Sequence, residues 1–441
     1  MRVLLASYAE KTHFIGMVSL AWALRAAGHE VRVASQPDLA GFLRRAGLPA
    51  VPVGRDHLLR ERFELVTQWG EGDAPGLFDV GESWPGDLSW DEMRWGVRDT
   101  AAWWWRMVND PMLEDLVAFC REWRPDLVVW EATTFAAPVA AEACGAAHVR
   151  FLWSLDLFAA MREQYRRHME RQPPQERDDP LAAWLGDRAA RHGVDFSETL
   201  VRGQATLDYL PASLGVPAPT GAHRLPIRYV PYNGRAVVPH WLRTPPTRPR
   251  VCLSVGSSTT EWFGGHTFSL AEVVRGLGEL DAEVVATLPP EEEAALGAVP
   301  DNVRLVGYAP LHVLAPTCDV MITHAGPGTL CSGLSHGVPQ LLVPGPRLDA
   351  PLLARLVERE GAGLVVRSGE AGADSVRDAT RRLLEDPSHA EAARRLSGEM
   401  AAMPSPAEAV RGLPRVLEEL GAPRLRDGPA SGTTAARGGG A

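Results

Sequence analysis

The chain has 441 residues, which is too long for one ordinary domain and suits two of about 200 residues each. Its hydrophobic content of 45% supports sizeable cores, and its net charge of −10 argues against nucleic acid or an anionic membrane surface as a partner. The five cysteines include no C-x-x-C pair, so neither a disulfide framework nor a zinc site is predicted. No signal peptide or membrane-spanning segment is predicted either, and a cytoplasmic protein is expected.

The first part of the chain alternates between apolar runs and helical patterns. Strands are predicted at 2–7, 29–35, 126–131 and 147–153, and helices at 15–27, 112–123 and 135–144. This alternation indicates a doubly wound parallel sheet, in which ligands bind at the carboxyl ends of the strands. The predicted loop 8–14, which contains His13, lies at such an end.

Residues 58–107 interrupt this alternation with weak periodicity and a concentration of tryptophan. We predict an irregular insertion between core elements, suited to a flat apolar ligand or to a partner protein. Burial of some of these rings in the core is the simpler alternative, and it stays open. The tryptophans of the stretch are Trp69, Trp84, Trp90, Trp95, Trp103, Trp104 and Trp105.

Composition predicts the domain boundaries. An N-terminal domain over 1–215 is followed by a proline-rich interdomain linker over 216–249 and a C-terminal domain over 250–405. A final helix over 406–420 is expected to pack back on the N-terminal domain. The glycine-rich tail 421–441 is predicted to be disordered.

The α/β pattern restarts after the linker. Strands are predicted at 251–255, 283–288, 303–308, 320–323, 340–343 and 363–366. The strand at 320–323 ends at His324, turns through Gly326 and Gly328, and continues as a helical pattern from Thr329. Unpaired amides at the start of such a helix suit a diphosphate.

Several interpretations of this turn compete. The two glycines could serve only a tight strand-to-helix connection. A dinucleotide fingerprint would need a third glycine where Cys331 stands, and a phosphate-binding Walker loop would need a lysine that is absent here. What remains is the pattern H-x-G-x-G-T, then G-V-P, a short apolar strand, a proline and Asp349.

This extended pattern resembles the nucleotide-sugar site of family-1 glycosyltransferases of the GT-B fold. The stretches 6–13, 20–24, 26–31, 124–128 and 229–234 further resemble actinobacterial deoxysugar transferases of macrolide and polyketide antibiotics, such as desosaminyl and mycaminosyl transferases. The resemblance implies two Rossmann-like domains, each a doubly wound parallel sheet, that face each other across a cleft.

The resemblance also implies the catalytic pair. His13 would be the base that removes the acceptor proton, and a neutral imidazole at working pH suits that role. Glu131, at the end of a strand, would orient the imidazole. A bonding role for His13 within the first helix turn and a helix N-terminal role for Glu131 are the simpler alternatives.

The donor site implied by the resemblance lies in the C-terminal half. Tyr308 would stack on a pyrimidine, with the amide of Ala309 reading its edge. Gly256 and Ser257 would contact phosphate oxygens or simply turn the chain. The remaining implied donor-site residues are His324, Ala325, Gly326, Gly328, Thr329 and Asp349.

One departure from the family pattern concerns the sugar. Transferases that use glucose-type donors have Asp-Gln where this chain has Asp349 followed by Ala350. An alanine cannot bond a sugar hydroxyl, so a deoxysugar is favoured over a fully hydroxylated one. A slip of the alignment by one residue is the alternative.

The sequence therefore predicts an inverting transferase that moves a deoxysugar, amino-deoxysugars included, from a TDP-sugar to a hydroxyl of an apolar polyketide aglycone. No cofactor and no metal are expected, since no Asp-x-Asp motif occurs. Family resemblance adds a cytochrome-P450-like auxiliary activator as a partner, and a homodimer is left open. A GT-B nucleotide-sugar epimerase and a catalytically silent, partner-binding subunit are the alternatives.

Overall fold

The chain forms two parallel sheets, each covered by helices on both faces. The computed structural model describes residues 1–68, 77–79, 81, 88–216, 221–256 and 268–422. Within these residues the N-terminal sheet has the order β3-β2-β1-β4-β5-β6-β7 and the C-terminal sheet the order β10-β9-β8-β11-β12-β13. The strand order reverses between β1 and β4 in the first sheet, and between β8 and β11 in the second. Open α/β sheets bind their ligands at such switch points.

The strands of the first sheet are β1 (Arg2–Ala6), β2 (Glu30–Ser35), β3 (Ala50–Pro52), β4 (Leu127–Glu131), β5 (Ala147–Phe151), β6 (Ala205–Asp208) and β7 (Arg224–Pro226). Those of the second are β8 (Arg250–Ser254), β9 (Glu283–Thr287), β10 (Val303–Val306), β11 (Val320–Thr323), β12 (Gln340–Leu342) and β13 (Gly363–Val365). Every residue of the central strands β4, β5, β8 and β11 is buried, as expected for parallel strands covered on both faces.

The helices of the N-terminal half are α1 (Lys11–Phe14), α2 (Val18–Ala26), α3 (Ala40–Arg45), α4 (Leu59–Gln68), α5 (Trp90–Thr100), α6 (Arg106–Trp123), α7 (Ala136–Cys144), α8 (Leu157–Glu170), α9 (Pro180–Ala190) and α10 (Thr199–Arg202). Those of the C-terminal half are α11 (Leu270–Leu277), α12 (Pro290–Leu296), α13 (Leu311–Leu314), α14 (Pro327–Leu334), α15 (Ala350–Arg359), α16 (Ala373–Glu385), α17 (Pro387–Ala402) and α18 (Pro406–Glu419). No helix among the described residues is long and apolar enough to cross a membrane.

The predicted α/β class is confirmed, and three strands of the first sheet are additional to the prediction. The strands β3 and β7 have three residues each and end in proline, while β6 has the mixed sequence ATLD. Strands this short or this mixed in polarity carry little periodic signal. The strand β7 lies inside the range 216–249, so part of the predicted linker belongs to the N-terminal sheet.

The last helix of the chain returns to the N-terminal half. Helix α18 contacts α2 of the N-terminal half, and the amide of Arg228 donates to the carbonyl of Pro404 at 2.7 Å. The final helix thus lies against the first domain although its sequence follows the second. The predicted tail 421–441 lies, from residue 423 onward, outside the described residues.

The prediction of an irregular insertion over 58–107 is wrong for much of its length. Helix α5 begins at a capping box formed by Ser89 and Glu92, passes through a π-helical segment, Ala101–Trp105, and continues directly into α6. A π-helical turn adds a residue to the 3.6-residue period, so the apolar pattern of α5 does not continue in register into α6. Trp104 and Trp105 are buried in the core. Trp69 and Trp84 lie outside the described residues.

A buried charge cluster at the end of β6 makes stability depend on pH. The guanidinium Nε of Arg224 lies 3.3 Å from Oδ2 of Asp208. In the neighbouring strand β5, Arg150 donates to Oδ2 of Asp156 and to the hydroxyl of Thr206. Burial raises the pKa of Asp208 to about 6, and the charge of Arg224 opposes this rise. The carboxyl group is therefore more easily protonated in the folded chain than in the unfolded one.

The stability of the protein should respond to this shift. A raised carboxyl pKa favours the folded state fully below about pH 4, and this contribution is lost as the pH rises through 6. Asp208→Asn removes the titration. The unfolding free energy of the variant, minus that of the parent, should therefore rise by on the order of 3 kcal/mol as the pH increases from 4 to 7. Urea unfolding of both proteins at a series of pH values measures this difference. A difference that stays constant over this range would contradict the shift.

Candidate active site

His13 and Glu131 lie together at the switch point of the first sheet. His13 is in the short helix α1, which Glu10 caps by accepting from the amide of Thr12, and not in the predicted loop. Glu131 is the last residue of β4, the neighbour of β1. The ring Nδ1 of His13 is 3.1 Å from Oε1 of Glu131, and both side chains are buried. The structure thus brings the predicted pair together, with Nδ1 facing the carboxylate.

The carboxylate of Glu131 is surrounded by donors. The hydroxyl of Thr134 donates to Oε2 at 2.7 Å, and Thr133 donates to Oε1 through its amide and its hydroxyl. Burial alone would raise the pKa of Glu131, but the hydrogen bond and charge of His13, with the two threonine hydroxyls, hold it below its ordinary value. Glu131 is therefore ionised at neutral pH and can stabilise a protonated imidazole.

Two aromatic side chains enclose the imidazole of His13. The indole of Trp153 stacks on it with ring centroids 4.1 Å apart and planes inclined by 17°, and Tyr8 meets it edge-on at 5.3 Å. Burial, with the charges of Glu131 and Glu10, raises the pKa of Tyr8, which keeps its phenol neutral. Sequence reasoning placed Trp153 at the end of a predicted strand without assigning it to the site.

The predicted phosphate turn lies at the switch point of the second sheet. Strand β11 ends at Thr323, and Gly326 is the N-cap of α14. Pro327, in the first helical position, has no N–H, so the first amides that point out of the helix are those of Gly328 and Thr329. Ala325 has a φ of 62°, a left-handed conformation that lets the chain turn sharply after the strand.

His324 lies in a slot between two glycines. A Cβ on Gly256, which follows β8, would lie 2.2 Å from the imidazole, and a Cβ on Gly326 would also lie 2.2 Å from it. Gly256 has a φ of 75°, which also favours glycine. The predicted site residues Gly256 and Gly326 thus both lie against His324. Ser257, predicted beside them, lies outside the described residues.

Residues of the segment that joins the two sheets form hydrogen bonds with the predicted donor site. The hydroxyl of Tyr229 donates to the carbonyl of Gly328 at 2.9 Å, on the first turn of α14. The hydroxyl of Tyr308 donates to the carbonyl of Asn233, whose side-chain oxygen accepts from the amide of His312. Tyr308 is 54% exposed as a whole residue, so part of its side chain is accessible to a ligand. Ala309, predicted next to it, is buried.

Asp349 connects the two halves. It is the N-cap residue of α15, and its Oδ2 accepts from the hydroxyl of Ser154 and, at 3.0 Å, from the amide of Leu155. Burial raises the pKa of Asp349, against the effect of these hydrogen bonds and of the nearby charge of His13. The carboxylate of the C-terminal half therefore lies close to the His13–Glu131 pair of the N-terminal half.

A second polar contact crosses the cleft beside Asp349. Arg347 donates to Oδ2 of Asp79 at 3.0 Å, and the amide of Leu348 donates to Oδ1 at 2.7 Å. Sequence reasoning missed Asp79, Ser154 and Leu155, because partners so distant in the chain leave no local signal. Over the part of the chain that the structure describes, no three potential His, Cys, Asp or Glu metal ligands lie together.

Two consecutive family models match this chain. The model described as erythromycin biosynthesis protein CIII-like, N-terminal domain, matches residues 22–256, and the model described as its C-terminal domain matches residues 271–416. Together they cover most of both halves, including Glu131 and the turn after β11, and the first match begins nine residues after His13.

Known proteins are similar to this chain over nearly their whole length. The 10-deoxymethynolide desosaminyltransferase of Streptomyces venezuelae is 44% identical over 95% of this chain and 98% of its own. The aclacinomycin-T 2-deoxy-L-fucose transferase of Streptomyces galilaeus is also 44% identical, over 98% of this chain and 99% of its own. The solved structure of the glycosyltransferase VinC with dTDP matches with a TM-score of 0.85 at 40% identity, over 95% of this chain and 100% of that one.

Proposed function

Because this chain belongs to the EryCIII-like glycosyltransferases of the GT-B fold, we propose that it transfers a deoxysugar from a thymidine diphosphate donor to a hydroxyl of a polyketide-type acceptor. The observation that carries this proposal is the placement of Asp349 beside the His13–Glu131 pair. A carboxylate of the donor half and a base of the acceptor half then face one reaction centre. The dTDP of VinC supports the choice of nucleotide.

His13 would act as the general base. Its Nδ1 faces Glu131, so Nε2 is the nitrogen that would take the acceptor proton. The ionised Glu131 would stabilise the imidazolium that forms. The acceptor oxygen would then attack the anomeric carbon from the face opposite the diphosphate, which inverts its configuration.

The turn after β11 would receive the departing diphosphate. The amides of Gly328 and Thr329 and the side chain of His324 supply donors there, and the dipole of α14 favours negative charge. Charge-assisted hydrogen bonds contribute about 1.5–3 kcal/mol each. Because the charge on the diphosphate grows as the sugar bond breaks, these contacts would stabilise the transition state more than the bound donor.

The first residue of α15 would contact the sugar of the donor. Ala350 follows Asp349 directly and is partly exposed. We predict that Ala350→Gln improves the use of a hydroxyl-rich TDP-sugar relative to a deoxysugar, because the amide supplies a partner for a sugar hydroxyl. The change should be about tenfold, the value of one hydrogen bond. The ratio of the two kcat/KM values measures it, and an unchanged ratio would remove Ala350 from the sugar pocket.

One experiment separates this function from its alternatives. The purified protein is mixed with TDP-deoxysugars and candidate aglycones, and the products are identified by mass spectrometry. A glycosylated aglycone with release of TDP supports the transferase. Conversion of the donor to an isomer without an acceptor would indicate the epimerase, and donor binding without any conversion would indicate a silent subunit.

The proposal also includes a partner protein. It would bind a smaller surface than the tryptophan-rich stretch 58–107 suggested, because part of that stretch is buried. Trp104 and Trp105 are buried, but Trp95 is 66% exposed, Leu58 62% and Leu65 48%. Contiguous exposed apolar groups mark interaction sites, and the proposal takes these three side chains as the docking surface of the partner.

We predict slow turnover by the lone chain and a gain of more than tenfold when the P450-like auxiliary of its own pathway is added. Ordering of the acceptor half by the partner would raise kcat more than donor affinity. Steady-state rates with and without the auxiliary test this, and Trp95→Ser should weaken the gain. Full activity of the lone chain, with no gain from the auxiliary, would refute the prediction.

A further inference from the structure

Trp153 touches both members of the His13–Glu131 pair. Its indole stacks on the imidazole at 4.1 Å, and its Nε1 donates to Oε1 of Glu131 at 2.9 Å. That oxygen is the one that lies 3.1 Å from Nδ1 of His13. One side chain therefore fixes the plane of the imidazole and the position of its carboxylate partner.

The backbone around Trp153 is held from two directions. The carbonyl of Trp153 accepts from the hydroxyl of Tyr209, and the next two residues, Ser154 and Leu155, donate to Asp349. Strand β5 ends two residues earlier, at Phe151. The indole consequently projects from a segment that is anchored in its own sheet and in the opposite half, so it can act as a rigid support.

We propose that Trp153 is a positioning residue for the general base, an inference that rests on the proposed function. Its stacking holds the imidazole in the plane from which Nε2 reaches the acceptor proton. Its N–H neutralises part of the charge on Glu131, and this limits how strongly the carboxylate favours the imidazolium. The imidazole is then held in the orientation that proton removal requires.

Two substitutions separate these contributions. Trp153→Phe keeps an aromatic face against His13 but removes the N–H donor to Glu131. Trp153→Leu removes both. Trp184→Phe is the matched control, because Trp184 is also a tryptophan of the N-terminal half and its Nε1 also donates to a carboxylate, Asp110, at 3.0 Å. That indole meets Phe135 edge-on, with ring centroids 6.1 Å apart, in place of an imidazole.

The readout is the acidic limb of the pH–rate profile, together with an NMR titration of the His13 imidazole in protein without substrates. In Trp153→Phe both midpoints should move to higher pH by roughly half a unit to one unit, since Glu131 loses a donor. In Trp153→Leu the same shift should be joined by a fall of about tenfold or more in kcat at the optimum. Trp184→Phe should leave both midpoints where they are in the parent.

Other results would overturn the proposal. Unchanged midpoints in Trp153→Phe would show that the indole does not act through the pair. A raised KM for the aglycone with unchanged midpoints would make Trp153 an acceptor contact instead. Failure of the parent to glycosylate any acceptor would count against the proposed function alone, because the NMR titration still tests Trp153. If Trp153→Leu does not fold, the midpoints of Trp153→Phe alone still test the proposal.

Discussion

Replacement of His13 by alanine is expected to lower kcat by roughly 10²–10⁴-fold, the usual contribution of a positioned general base. The imidazole is buried at the end of the first strand, bonded to an ionised Glu131 and covered by Trp153. Water cannot take its place with the same orientation, so proton removal from the acceptor would lose its catalyst. Single-turnover rates with a saturating TDP-sugar and aglycone measure the loss.

Binding of the donor should survive this change. The phosphate turn lies in the other half of the chain, so calorimetric titration of His13→Ala with TDP should give a Kd within a few-fold of the parent value. Glu131→Gln offers an intermediate case, because it keeps the shape of the carboxylate but removes its charge. Turnover of His13→Ala within a few-fold of the parent would contradict the assignment of the base.

Gly326→Ala is expected to weaken TDP binding by tenfold or more. The new Cβ would lie 2.2 Å from the imidazole of His324, a distance that no packed pair of atoms tolerates, so the ring or the turn must move. Gly326 has a φ of −62°, so alanine fits the backbone and the effect comes from the contact alone. Displacement of His324 and of the adjacent amides would remove charge-assisted bonds worth about 1.5–3 kcal/mol each.

A glycine elsewhere in the same half provides the control. A Cβ on Gly369 meets nothing within 4 Å, so Gly369→Ala should bind TDP as the parent does. Calorimetry with TDP compares the three proteins, and thermal unfolding checks that each is folded. Equal affinities for Gly326→Ala and Gly369→Ala would show that the slot around His324 does not serve the diphosphate.

The parts of the site that could be predicted are those encoded locally. His324, Gly326 and Thr329 follow a buried strand within a few residues, and the carboxyl end of such a strand is a known place for ligands. In the same way, His13 comes shortly after the first strand and Glu131 is the last residue of β4. Their meeting also depends on β1 and β4 being neighbours, which the doubly wound pattern implies and the structure shows.

The parts that could not be predicted depend on contacts between distant segments. Asp349 meets Ser154 only because the two halves face each other, and no local pattern carries that arrangement. The π-helical segment Ala101–Trp105 hid a long helix by shifting its period. The strands β6 and β7 are short and mixed in polarity, so only their neighbours in the sheet make them strands.

The polar contacts between the two halves should also affect the timing of the proposed reaction. Opening the cleft must separate Asp349 from Ser154 and Leu155, and Arg347 from Asp79. A hydrogen bond to a charged group contributes about 1.5–3 kcal/mol, so each broken contact makes the open form roughly tenfold rarer or more. Products that need an open cleft to escape would therefore wait on a rare event, and the first turnover should outpace those that follow.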